Sequence, residues 1–73
     1  MISYPSITFR DLMTRVEILG FKRVRQKGFH IRYVHPDGRK TTIPDHGHKD
    51  VPKVLLNKII RYDLEMEPNE FWK

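Results

Sequence analysis

The chain contains no cysteine, which excludes a disulfide framework, a thiolate zinc site and a cysteine nucleophile together. No apolar run approaches the roughly 18 residues that would span a bilayer. The opening Met1-Ile2-Ser3-Tyr4-Pro5 has neither the charged nor the apolar region of a signal peptide. The expectation is a soluble cytoplasmic protein with no membrane partner. Repeats and low-complexity segments are missing too. At 73 residues there is too little chain for a second module, so a single domain over residues 1–73 is expected, burying only about 60% of the surface of the unfolded chain. With a hydrophobic fraction of 38%, the sequence is too apolar for a disordered tail and supports one thin core stabilised by packing.

Charge is plentiful and unevenly placed. Fourteen Lys and Arg face nine Asp and Glu. The first twenty residues are balanced, and residues 50–73 are slightly acidic. The excess sits in residues 21–49, where Lys22, Arg23, Arg25, Lys27, Arg32, Arg39, Lys40 and Lys49 are opposed only by Asp37 and Asp45. A basic block of this kind is the electrostatic footprint of a polyanion binder, most often of nucleic acid. Cations can also serve merely to keep an exposed strand edge from pairing.

Phe9, Leu12, Met13, Val16 and Leu19 recur at helical spacing and lay one apolar stripe along a first helix. Thr8, with Asp11 three residues on, has the form of a capping box, and Gly20-Phe21 supplies a C-terminal stop. Three strand-like runs follow, Phe21 to Lys27, Phe29 to His35 and Arg39 to Ile43, with turns at Gly28 and at Pro36-Asp37-Gly38. Alternation in the middle run assigns Phe29, Ile31 and Tyr33 to the helix-facing side and His30 and Arg32 to solvent. Phe29 and Tyr33 are therefore expected in the core and not as platforms for bases. Pro44 to His48 reads as a loop, and Asp50 as the N-cap of a second helix from about Val51 to Arg61, with Pro52 in its first turn. Val51, Leu55, Leu56, Ile59 and Ile60 form its buried stripe. After Pro68 a short helical turn is expected to drop Phe71 and Trp72 onto the body. The predicted class is α+β, in the order α-β-β-β-α, with a three-stranded antiparallel sheet covered on one face by two helices.

Asp45, His46 and His48 carry ligand-type side chains, but two histidines two apart lack a recognised zinc spacing. They are read as a polar loop, and no metal or small-molecule cofactor is expected. Asp37 is read as a turn residue bonding its own backbone. No helix stands out as a reader of DNA, which leaves a DNA-contacting accessory as the weakest reading of the charge.

The string Gly20-Phe21, Val24-Arg25-Gln26-Lys27-Gly28, His30, His35-Pro36-Asp37-Gly38-Arg39, Pro44, Gly47 and Lys49-Asp50, followed by the helix bearing Leu56, Ile59 and Ile60, resembles the HicA-type mRNA interferases. These are toxins of prokaryotic type II toxin–antitoxin pairs. The resemblance covers residues 5–61, leaving 62–73 as an extension. It implies a fold like that of the double-stranded-RNA-binding domain, metal-independent cleavage of single-stranded mRNA, and neutralisation by a HicB-type antitoxin. It also implies that His30 is catalytic. Phe29 stands where the family usually has serine, and Val54-Leu55 where Gly-Thr is usual. RNA cleavage without a metal uses the substrate's own 2′-OH, so the protein has only to move protons and neutralise charge. Imidazole suits the first task near neutral pH, and Arg25, Lys27 and Arg32, with Arg23 and Lys22 beside them, suit the second. A non-catalytic RNA-binding module of the same fold is the alternative.

Overall fold

The computed structural model describes residues 5–72; Met1 to Tyr4 and Lys73 lie outside them. Helix α1 (Phe9–Ile18) forms where the apolar stripe predicts it, burying Phe9, Leu12, Met13 and Val16. Thr8 Oγ1 accepts the Asp11 N–H at 3.1 Å, satisfying one of the amides that a helix start leaves unpaired. Backbone carbonyls supply two more acceptors: Phe9 N–H donates to Lys49 and Arg10 N–H to Gly47, each at 3.0 Å. At the other end Gly20 takes φ +104°, its N–H bonds Glu17 O, and Phe21 N–H bonds Val16 O. Together with the buried Phe21 ring, these bonds close the helix as a Schellman motif.

Strands β1 (Lys22–Lys27), β2 (His30–Val34) and β3 (Lys40–Pro44) make an antiparallel sheet in the order β1-β2-β3. Ile31, Tyr33, Thr41 and Ile43 are buried against the helices, whereas all six residues of β1 are exposed. One expectation fails here. Phe29 is 69% exposed, because Lys27 pairs with His30 and Gly28-Phe29 form the two-residue turn between the strands. The alternation begins at His30, so strand parity does not reach Phe29. Tyr33, assigned to the core by the same parity, is fully buried.

The segment after β3 also differs from expectation at one point. Asp50 is not the N-cap of the second helix: it forms a bridge with Thr8, and Val51 N–H bonds Ile7 O at 2.8 Å. This short ladder ties the loop to the start of α1. Helix α2 (Lys53–Lys58) therefore begins two residues later than predicted, with Pro52 before it. It runs on into a π-helical turn, Ile59–Asp63. The wider turn lets Ile59, Ile60 and Leu64 all be buried and brings Asp63 Oδ2 to 2.9 Å from Thr41 Oγ1. A final helix α3 (Pro68–Phe71) places Phe71 in the core, where Arg15 Nε and Nη2 donate to its carbonyl at 3.1 and 2.7 Å. The α-β-β-β-α order and the sheet covered on one face by helices are as predicted. No described helix is long and apolar enough to cross a membrane.

Candidate nucleic-acid interface

Cross-strand partners in an antiparallel sheet project to the same face, so the pairing register defines the open face row by row. One row is Lys27, His30 and Pro44; the next is Arg25, Arg32 and Thr42; the third is Lys22, Val34 and Lys40. Neither Asp nor Glu occurs in these rows. Lys22, Arg25, Lys27, His30, Arg32, Lys40 and Thr42 are all exposed. Arg25 stands directly opposite Arg32, an arrangement of like charges that costs stability in the free protein and that a bound polyanion relieves.

A β-bulge brings these cations together. Arg23 pairs with Tyr33 and Arg25 with Arg32, leaving Val24 as the extra residue. In an unbroken strand, Lys22 would face the opposite way from Arg25 and Lys27. The bulge reverses the parity at Val24 and gathers all three on the open face. It also shields an edge strand whose backbone is otherwise open to pairing.

Of the residues expected to contact RNA, the sheet therefore groups Lys22, Arg25, Lys27 and Arg32 with His30 and sets Arg23 apart. Arg23 shares a row with Tyr33 and Thr41 on the helix-facing side. Its Nη2 donates to Tyr33 Oη at 3.3 Å, and its guanidinium lies 5.8 Å from the centre of the Tyr33 ring. Tyr33 Oη in turn donates to Glu17 Oε2 at 2.8 Å. Burial pushes the Tyr33 phenol above its ordinary pKa, with the Arg23 contact working against that rise. The bond that Arg23 donates to Tyr33 also raises the guanidinium above its usual pKa.

Lys40, a member of the basic block but not one of the expected RNA contacts, and Thr42 complete the open face. The signal was present: they alternate in β3 with buried Thr41 and Ile43. Arg32, Lys40, Thr41 and Thr42, with Lys58 and Asp63, line a groove of about 300 Å³ where β3 meets α2 and the π turn. Asp63 accepts Thr41 Oγ1 and lies 3.7 Å from Lys58 Nζ.

The remaining histidines lie outside the three rows. His35 packs edge-on to Phe21, with ring centres 5.1 Å apart, and its Nδ1 accepts the Asp37 N–H at 3.1 Å. Asp37 accepts both the N–H and the Nε of Arg39, and those bonds, the backbone one foremost, hold its carboxyl below the usual pKa. His46 sits edge-on to Phe9 at 5.0 Å and tilted towards Phe29 at 6.3 Å. Asp45 Oδ1 accepts the Gly47 N–H at 3.1 Å. Among the described residues, no three of His, Cys, Asp and Glu converge as a metal site would require.

Start to π turn, this arrangement falls inside one family match: the model of the family described as HicA toxin of bacterial toxin-antitoxin covers residues 9–63. No curated protein matches the chain.

Proposed function

Because the chain belongs to the HicA toxin family of bacterial toxin–antitoxin systems, we propose that it is an endoribonuclease that cleaves single-stranded mRNA in the cytoplasm and is held inactive by a HicB-type antitoxin. The observation that carries this reading is the exposed His30 imidazole set in a sheet face of cations free of carboxylates. In the proposed reaction the ribose 2′-oxygen attacks the adjacent phosphorus and the bond to the 5′-oxygen breaks. His30 takes the 2′-OH proton, and the departing 5′-oxygen is protonated by solvent or by the imidazolium so formed. The products are a 2′,3′-cyclic phosphate and a 5′-hydroxyl end. No cofactor enters this balance. Lys27, beside His30, and the Arg25–Arg32 pair in the next row neutralise the charge that builds on the phosphorane.

The same face suits a protein inhibitor. An antitoxin that presents carboxylates to Arg25, Lys27 and Arg32 gains encounter rate from charge and covers His30 while bound. Antitoxin and RNA are then mutually exclusive.

The test is an RNA with single 2′-deoxy substitutions, assayed with the wild type and with His30→Ala. Wild-type protein should cut every site except the substituted one, and His30→Ala should bind without cutting. Binding without cleavage by the wild type at any site would identify the non-catalytic RNA-binding module instead. Undiminished cutting by His30→Ala would refute the role of the imidazole. In a titration, saturating antitoxin should displace RNA; a ternary complex would place the antitoxin elsewhere.

A further inference from the structure

Phe29 is a large apolar side chain held out at the hairpin tip, 69% exposed. A lone exposed apolar residue needs no special account. Four observations set this one apart. It stands between Lys27 and His30, which close the turn by pairing with each other. Its carbonyl accepts the Asp45 N–H at 2.6 Å, which ties the tip of the turn to the loop after β3. A second ring flanks it: His46, tilted 35° and 6.3 Å away between ring centres, is itself braced edge-on by buried Phe9 at 5.0 Å. The open-face row next to it holds a cation and an imidazole without a carboxylate.

A planar apolar ring beside a phosphate-binding cation is the combination that holds a single-stranded nucleotide, the ring taking the base and the cation its backbone. Protein hot spots differ, since they cluster in packed pockets with apolar neighbours, and the residues flanking Phe29 are Gly28 and His30. Resting on the RNA-cleaving reading above, we infer that Phe29 is a stacking platform for one unpaired nucleobase next to the scissile phosphate, with the His46 ring flanking the platform. Being adjacent to His30 in the chain, the platform fixes which phosphodiester meets the imidazole. Discrimination follows stacking strength, favouring purines with their larger faces.

The experiment measures binding of uncleavable strands: 2′-O-methyl oligoadenylate, and an abasic strand of the same length and charge. Wild-type protein should bind the oligoadenylate about 5- to 160-fold more tightly than the abasic strand, the range expected for one stacked base. Phe29→Ala should bind both strands alike, and Phe29→Trp should keep the preference. Since the side chain is exposed, unchanged thermal melting is expected for both variants and serves as the control for folding. If Phe29→Ala retains the full preference for bases, the inference fails, and if it weakens only antitoxin binding, the ring is a protein contact instead. Wild-type protein that binds neither strand would overturn the RNA reading itself, and this inference with it.

Discussion

The separation of Arg23 from Arg32 by the sheet has a measurable consequence for the proposed RNA binding. Each phosphate contact on a single strand contributes about −0.7 to the slope of log affinity against log salt. Five cations occupy the open rows, Lys22, Arg25, Lys27, Arg32 and Lys40. If all are engaged, the slope is about −3.5, and affinity falls about 100-fold between 50 and 200 mM salt. Arg32→Ala should make the slope shallower by about 0.7, which removes about 2.5-fold of that loss. Arg23→Ala removes an equal charge two residues from Arg25 in the chain, yet should leave the slope where it was, because that guanidinium is turned to Tyr33. Fluorescence anisotropy of a labelled single-stranded RNA on the His30→Ala background, over at least four salt concentrations, gives all three slopes. Equal changes for Arg23→Ala and Arg32→Ala would show that net charge alone governs binding, and the face-by-face account would be wrong.

Three further outcomes follow from the geometry. Tyr33→Phe keeps the buried ring but loses the hydroxyl bonded to Glu17 and Arg23; both partners can turn to water, so the cost should be about 1 kcal/mol, or about 4–8 °C in Tm. Since folding raises the Tyr33 pKa above 10.0, the stability this group contributes is complete below pH 10 and lost as pH climbs to the folded value; a wild-type advantage over Tyr33→Phe that grows above pH 10 would contradict this. Gly20→Ala should destabilise by about 1–3 kcal/mol, because the residue has φ +104° and an added Cβ would lie 2.9 Å from His35 Nε2; full rescue in denaturant melts by His35→Ala would show that the contact, and not the backbone, sets the cost. Deleting Val24 leaves the remaining β1–β2 partners in register, so RNA affinity should hold while the flattened edge promotes self-association, measurable by sedimentation; loss of RNA binding without loss of folding would count against the bulge account.

Local patterns in the sequence were enough to place most elements. The apolar spacing of α1 and its Gly20 stop depend on residues within a few positions of one another, and so does the alternation that exposes His30 and Arg32 while burying Ile31 and Tyr33. So does the late turn at Pro68 that brings Phe71 into the core. The central cationic block is legible in the same way, because charge can be counted along the chain. Its division between two faces cannot. Whether Arg23 or Lys22 joins Arg25 depends on one unpaired residue, Val24, and a bulge is settled by how two strands twist and pair, not by either strand's own residues. Phe29 looked like a core residue because parity was carried one position too far, into a turn fixed by the Lys27–His30 pairing. Asp50 looked like a helix cap because its distant partner Thr8 was out of view. The π turn likewise forms where Ile59, Ile60 and Leu64 must all reach one core and Asp63 must reach Thr41. Local chemistry determined the elements and the charge they carry; the tertiary structure decided which side chains share a surface, because pairing across strands and packing across layers join residues that the chain keeps apart.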